Sequence, residues 1–265
     1  MSDGIPEFVK HSVPWNPWHG CRRVSEGCLN CYMFQGDAGR GVEGSDVVRR
    51  SKTQFDLPLR KDRNGRYKLR DSLIIVSLTS DFFIEEADEW RDEAWSIMRR
   101  RRDALFEIPT KRPERILEHL PADWGEGYPN VRLAVSVENQ RTWDLRVPIL
   151  CSVPAKRHDV FLAPMIGPVD CDPLLSVNRI DGIYLGGEIC DGARVCDYAW
   201  VLQVRDSCIR NGVTFHWRNC GRNLLRDGEL LSGLTLENQG RICTAADLDH
   251  IVDEVLPPVR QTTLF

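Results

Sequence analysis

Six short runs rich in β-branched and aromatic residues recur along the chain, each followed by a polar or glycine-containing segment. Each run has four to six residues, a length typical of strands buried on both faces. The runs occupy residues 73–78 (LIIVSL), 104–108 (ALFEI), 132–137 (RLAVSV), 159–163 (DVFLA), 182–185 (GIYL) and 214–217 (TFHW). The pattern therefore predicts six buried strands.

Helical periodicity fills several of the intervals between these runs. Residues 88–102 place their apolar side chains on one face, begin with acidic residues and end in four arginines, as the helix dipole favours. Residues 112–120 and 198–210 have a similar pattern, and Gly212 after the second segment is a C-cap signal. Strands that alternate with helices predict an α/β fold with a parallel sheet, either open or closed into a barrel.

Polar residues or glycines directly follow four of the predicted strands. Ligands of barrels and of open α/β sheets bind at the carboxyl ends of the strands. Ordinary solvated loops are the alternative for any one of these groups, but four together favour a lined cavity. The groups are Thr79-Ser80-Asp81, Thr110-Lys111-Arg112, Glu138-Asn139-Gln140 and Gly186-Gly187-Glu188.

Two segments fall outside this strand and helix pattern. Residues 56–70 are polar and contain Asn64-Gly65, which predicts an irregular or hairpin excursion. Residues 223–265 form a C-terminal extension, packed on the preceding domain or trailing from it, and we expect its last nine residues to be flexible. The expected organisation is thus a domain of residues 1–222 followed by this extension.

Charge and composition limit the classes of function that the chain can have. The 265 residues carry 35 Lys and Arg against 39 Asp and Glu, a net charge of −4, which argues against a binder of bulk nucleic acid. No apolar run approaches the roughly 18 residues of a membrane helix, and residues 1–10 lack the apolar segment of a signal peptide. We therefore expect a cytoplasmic protein that does not use a membrane.

The ten cysteines include a cluster near the N-terminus. Cys21, Cys28 and Cys31 are separated by six residues and then by two. A structural zinc site needs four ligands, whereas three thiolates can hold a [4Fe–4S] cluster and leave one iron open. A zinc site completed by His19 or by a distant cysteine such as Cys190 is the alternative, and a disulfide is disfavoured in a reducing compartment.

The cysteine loop resembles that of the radical S-adenosylmethionine enzymes, whose common spacing is three residues and then two. More closely, the chain resembles a phage-associated three-Cys-motif family of uncharacterised proteins, distantly similar to spore photoproduct lyase. The resemblance runs from about residue 15 to residue 221. The matching stretches are Trp15-Asn16-Pro17 to Cys21, Gly27-Cys28 to Tyr32, and residues 55–60 (FDLPLR), 80–83 (SDFF), 110–115 (TKRPER), 136–140 (SVENQ) and 186–188 (GGE).

This resemblance implies a partial (β/α)6-type, TIM-like barrel with an N-terminal cysteine loop. It also implies a [4Fe–4S] cluster on Cys21, Cys28 and Cys31, and S-adenosylmethionine on the fourth iron. An electron donor such as flavodoxin or ferredoxin would drive reductive cleavage to a 5′-deoxyadenosyl radical. The candidate cofactor-binding residues are Thr79, Ser80, Asp81, Lys111, Ser136, Glu138, Asn139, Gly186, Gly187 and Glu188.

Alternatives remain open for the substrate and for the class of function. By analogy with the lyase, the substrate is nucleic acid or a nucleic-acid-derived molecule, in a phage or mobile-element context. A non-catalytic, metal-stabilised binding module that works with a partner protein is the second hypothesis. Cys190, Cys196 and Cys220 would form a second metal site, donate hydrogen to a radical, or simply be buried small apolar side chains.

Overall fold

The fold is built on parallel strands, as the alternating pattern predicts. The computed structural model describes residues 12–70 and 72–252. Its strands are β1 (Ser12–Trp15), β2 (Trp18–His19), β3 (Arg49–Arg50), β4 (Leu73–Val76), β5 (Leu105–Thr110), β6 (Val131–Val137), β7 (His158–Leu162), β8 (Gly182–Gly186), β9 (Cys196–Asp197), β10 (Thr214–Asn219), β11 (Leu224–Arg226) and β12 (Glu229–Leu231). Its α-helices are α1 (Tyr32–Gly39), α2 (Asp88–Arg100), α3 (Gln140–Cys151), α4 (Asp172–Leu175), α5 (Tyr198–Asn211) and α6 (Leu236–Ala246).

Seven strands form the main sheet, in the spatial order β1-β4-β5-β6-β7-β8-β10. Every neighbouring pair is parallel, and the spatial order follows the chain order. The result is a mixed α/β fold in which the sheet curls into a half-barrel. The carboxyl ends of all seven strands therefore meet at one edge.

The two faces of the sheet carry different residues because side chains alternate along each strand. On β5, Phe106 and Ile108 belong to the main apolar core. The opposite, concave face holds two small apolar clusters, one of which is Ala134, Phe161 and Tyr184. Phe161 of β7 pairs in register with Tyr184 of β8, so these two rings lie side by side inside the curl.

All six predicted strands form, with ends that differ by at most two residues from the predicted runs. The helices predicted at 88–102 and 198–210 are confirmed as α2 and α5, and Gly212 is left-handed (φ 64°) after α5. The excursion over residues 56–70 folds back through an antiparallel bridge between Lys61 and Tyr67.

The helix predicted at 112–120 is wrong. The segment forms two separate 3₁₀ turns, Pro113–Arg115 and Leu117–His119. Leu120 is extended (ψ 146°), as a residue before proline prefers, and this stops helical continuation. So few residues cannot offset the cost of helix nucleation.

The chain beyond Asn223 contacts the main sheet. β11 pairs with both β9 and β12, and His250 exchanges two backbone hydrogen bonds, of 2.7 and 2.9 Å, with Phe215 of the edge strand β10. The final residues, for which the sequence predicts flexibility, lie outside the described part of the chain. No helix within the described residues has the length and apolar character to cross a membrane.

Candidate functional site

The loop that carries the three cysteines crosses the carboxyl edge of the sheet. Cys21, Cys28 and Cys31 all line one cavity of about 340 Å³, and Cys31 directly precedes α1. Residues that follow β4, β5 and β8 line the same cavity. The sequence places these three cysteines near one another only along the chain, whereas the structure brings them over the strand ends.

Hydrogen bonds to four different strand ends hold this loop in place. Tyr32, just after the last cysteine, donates from its hydroxyl to the Leu78 carbonyl (2.5 Å) after β4. Ser25 Oγ donates to Glu138 Oε1 at 2.6 Å, after β6. The remaining ties are Arg112 Nη2 to the Arg22 carbonyl (3.2 Å) and Asn30 Nδ2 to Glu188 Oε2 (3.1 Å). The loop is therefore shaped by the protein itself.

Gly27 lies against the side chain of Glu138 so closely that no larger residue fits. A Cβ on Gly27 would be 2.3 Å from Glu138 Cγ and 2.7 Å from Oε1. The absence of a side chain at this position thus lets the loop approach β6. The glycine that precedes Cys28 therefore has a packing reason of its own.

Six of the ten predicted cofactor-binding residues line the cavity. They are Ser80, Asp81, Lys111, Ser136, Gly187 and Glu188. The other four lie beside it: Asn139 caps α3 in a reciprocal capping box with Thr142, and Glu138 is fully buried beneath the loop. Thr79 and Gly186 make backbone contacts at the ends of β4 and β8. The rule that ligands bind at the carboxyl ends of the strands, here called the strand-end rule, therefore locates the cavity. It does not identify every residue on the cavity surface.

Cys28 lies in a positive environment. Burial opposes its ionisation, but the Lys111 ammonium and hydrogen bonds around Ser25 outweigh this, and the pKa of Cys28 is lowered. For Cys21, burial first and the Asp81 carboxylate second raise the pKa to about 12, against the charge of Arg112. The two thiols thus differ in how readily each supplies a thiolate.

Glu138 is a buried counter-charge at the base of the loop. Its side chain is 0% exposed, and Arg146 Nη1 lies 3.1 Å from Oε2 while Lys111 Nζ lies 3.3 Å from Oε1. Burial alone would favour the neutral acid, but Lys111, Arg146 and the Ser25 hydroxyl together lower the pKa of Glu138. The carboxylate is therefore ionised and fully engaged with protein donors.

Glu188 of the predicted Gly-Gly-Glu turn is also engaged. Arg194 donates to it from its backbone N–H (2.7 Å) and its guanidinium, and Asn30 donates from its amide. These donors outweigh burial and lower the pKa of Glu188. Gly187 packs backbone to backbone on Gly221, where a Cβ would be 2.7 Å from the neighbouring Cα.

Within residues 12–70 and 72–252, the positions of the side chains that could bind a metal can be compared with the arrangement that one metal ion needs. No three His, Cys, Asp or Glu side chains there are placed to hold one metal ion together. His19, the alternative fourth zinc ligand, is hydrogen-bonded through Nε2 to Asp37 Oδ2 at 2.7 Å. The three thiols therefore surround part of the cavity wall without converging on one point.

The other cysteines fall into two groups. Cys190 lines the same cavity as the three-cysteine loop. Cys196 and Cys220 are fully buried in the main core, and the Cys243 side chain lies beside that of Cys220. Cys151, Cys171 and Cys208 are not among the cavity-lining residues and lie in or at the edge of the apolar core.

Sequence reasoning missed several cavity residues. Phe161 and Arg218 lie within the last residues of β7 and β10, and Asn219 ends β10. These three residues belong to the strands themselves, whereas most of the predicted site residues follow a strand. Period-two alternation in TFHWRN (residues 214–219) puts His216 and Arg218 on the face opposite Phe215 and Trp217, which is the face inside the curl.

Comparison with known proteins gives a family for the chain. No curated protein and no solved structure matches it. Residues 7–248 match a family that carries the description "Protein of unknown function (DUF5131)". Because this match covers most of the 265 residues, the chain belongs to the DUF5131 family.

Proposed function

We propose that this chain is a radical S-adenosylmethionine-type enzyme that holds a [4Fe–4S] cluster on Cys21, Cys28 and Cys31. The observation that carries the proposal is the shared cavity: all three cysteines face it together with the ends of β4, β5 and β8. When bound with S-adenosylmethionine, the cluster supplies the electron that cleaves the sulfonium and yields a 5′-deoxyadenosyl radical.

The donor set fits a cluster better than a single ion. In an iron–sulfur cube each thiolate holds a different iron, so three thiols need not converge on one point. The described thiols do not converge on one point, and His19 is not grouped with them around a common ion position. The curled parallel sheet supports interpreting the fold as a partial TIM-like barrel of the (β/α)6 type.

The residues of the chain divide into those that position the loop and those that face the bound molecule. The carboxylates of Asp81, Glu138 and Glu188 already accept hydrogen bonds from protein donors. They hold the cysteine loop and the strand ends in register. Ser136 lines the cavity and makes no side-chain hydrogen bond with the described residues, so we assign its hydroxyl to contact with S-adenosylmethionine. The Gly187 N–H is already donated to the Asn219 carbonyl (3.2 Å).

Lys111 has two effects at once. Its ammonium pairs with Glu138 at 3.3 Å and favours the thiolate form of Cys28.

Cys21 keeps its proton in the metal-free protein because its pKa is raised to about 12. Ligation at Cys21 therefore releases a proton, and cluster loading should become more favourable as the pH rises.

Anaerobic purification followed by iron and sulfide analysis tests this proposal. We expect about four irons and about four sulfides per chain, and loss of most of this iron in Cys28→Ala. Cys151→Ala is the matched control, since Cys151 lies outside the cavity lining, and it should retain the iron. One zinc per chain without iron would refute the cluster and favour the binding-module hypothesis.

Turnover is tested separately on the loaded protein. Under chemical reduction with S-adenosylmethionine we expect 5′-deoxyadenosine and methionine, detected by liquid chromatography. A protein that holds iron and sulfide but neither binds nor cleaves S-adenosylmethionine would retain the cluster assignment and reject the enzymatic one.

A further inference from the structure

Arg218 stands apart among the cations that line the cavity. It makes no ion pair or hydrogen bond with any residue of the described ranges, although its side chain is open to the cavity. The other three lining cations each have a carboxylate: Glu86 for Arg22, Glu138 for Lys111 (3.3 Å) and Asp81 for Arg112 (3.2 Å). The wall near Arg218 thus carries a positive charge that the protein does not neutralise by contact.

The surroundings of Arg218 leave its donor groups directed at the cavity. Its Cζ lies 5.5 Å from the centroid of the Phe161 ring. That ring stacks on Tyr184 at 5.3 Å with an interplanar angle of 27°. A guanidinium beside an aromatic face keeps its N–H groups for a planar, bidentate partner such as a carboxylate or a phosphate.

The side chain of Arg218 is exposed to the cavity, so an incoming molecule can reach its guanidinium. Partial desolvation by the cavity wall lowers the pKa of Arg218, and Glu107, which acts from beyond ion-pair distance, offsets this only in part. With no contacting counter-charge among the described residues, the guanidinium is available to an incoming anion.

Arg218 and Phe161 lie on the two strands that flank β8 in the sheet, β10 and β7. The predicted cofactor residues lie on or directly after β4, β5, β6 and β8. The cavity of about 340 Å³ lies in the size range of small-molecule sites. Arg218 and Phe161 therefore face this cavity from two strands that supply no predicted cofactor residue.

We infer that Arg218 binds an anionic group, a carboxylate or a phosphate, of the molecule on which the enzyme acts. That this anion belongs to a substrate rests on the proposed function, whereas the existence of the anion site rests on the geometry alone. A phosphate-bearing, nucleic-acid-derived molecule has this chemistry, and so does the carboxylate of S-adenosylmethionine. The experiment must therefore separate these two sources.

The anion site is tested with inorganic phosphate and with acetate, each titrated at constant ionic strength. Binding is measured by calorimetry on the wild type, Arg218→Gln and Arg22→Gln. We expect the phosphate or acetate dissociation constant to rise about tenfold or more in Arg218→Gln and to stay unchanged in Arg22→Gln, whose charge is already paired. No saturable binding of either anion to the wild type, or equal binding by Arg218→Gln, would overturn the inference.

The source of the anion is tested on the iron-loaded protein with S-adenosylmethionine. If the anion belongs to the substrate, phosphate still binds when the cofactor is saturating, and Arg218→Gln leaves the affinity for the cofactor unchanged. Competition between the two, with about tenfold weaker cofactor binding in Arg218→Gln, would assign Arg218 to the cofactor and overturn the substrate role. Failure to load iron would reject the proposed function and leave the anion result standing.

Discussion

Replacing Glu138 with alanine should substantially lower the free energy of unfolding, because this carboxylate joins the three-cysteine loop to β6. Glu138 is fully buried and contacts the Arg146 guanidinium (3.1 Å) and the Ser25 hydroxyl (2.6 Å). Arg146 is only 5% exposed, so the variant leaves a buried cation without its partner. Removing one member of a buried ion pair typically costs about 3–5 kcal/mol, and we expect a loss of that size in the free energy of unfolding.

Urea unfolding, followed by circular dichroism and tryptophan fluorescence, measures this loss. Glu138→Gln keeps the shape and one acceptor oxygen, so it should fall between the wild type and Glu138→Ala. Glu26→Gln is the matched control, because Glu26 pairs with Arg141 at 3.0 Å on the surface and should cost less than about 1 kcal/mol. A loss below about 1 kcal/mol for Glu138→Ala would refute the role of Glu138 as a buried counter-charge.

The same carboxylate predicts a pH dependence of stability. The pKa of Glu138 is below its ordinary value of 4.5 in the folded protein, because Lys111 and Arg146 outweigh the effect of burial. Its stabilising contribution is therefore complete above 4.5 and is lost as the pH falls through the folded pKa. The difference in unfolding free energy between the wild type and Glu138→Gln should shrink on acidification. A difference that stays constant there would contradict this assignment.

Three further substitutions test the packing around the site and in the core. Gly27→Ala should destabilise the fold by about 1–3 kcal/mol and expose the cysteine loop to trypsin, since the new Cβ would lie 2.3 Å from Glu138 Cγ. Asn130→Ala should cost about 2 kcal/mol or more by urea unfolding, because the buried Nδ2 lies within hydrogen-bond distance of three backbone carbonyls, at 3.0 to 3.2 Å. Trp143→Ala should cost about 3–5 kcal/mol by the same measurement, because this fully buried side chain leaves a cavity between α3 and the sheet.

Each of these substitutions has a control at an open position. Gly39→Ala meets nothing within 4 Å and should not destabilise the chain. Asn64→Ala lies in an exposed turn, and Leu145→Ala removes a side chain that is 56% exposed on α3. If a control variant lost as much free energy of unfolding as its buried counterpart, the contact named for that counterpart would not be the cause of its destabilisation.

The strands could be predicted because their signal is local. Runs such as LIIV and VRLAVSV are buried on both faces of a parallel sheet, so hydrophobicity alone marks them. β1 and α1 were missed for the opposite reason. α1 (YMFQGDAG) buries only Met33 and Asp37, and its position comes from contacts such as Gln35 with Asp191, far away in the sequence.

The site was predictable only as far as the strand-end rule extends. That rule finds Ser80, Lys111 and Gly187 on the cavity surface. It cannot distinguish a carboxylate that faces a ligand from one that holds a loop, and Glu138 belongs to the second kind. Arg218 was not predicted, because what distinguishes it is the lack of an ion-pair partner among the described residues. Only the three-dimensional contacts reveal this.

The ties that fix the cysteine loop have a practical consequence for handling the protein. In a zinc finger the ligands are unstructured until the ion arrives, so chelators unfold the domain. Here Ser25, Asn30 and Tyr32 anchor the loop to ordered strand ends through protein contacts alone. Stripping metal should therefore leave the melting temperature nearly unchanged, and material isolated in air should accept iron and sulfide afterwards without a refolding step.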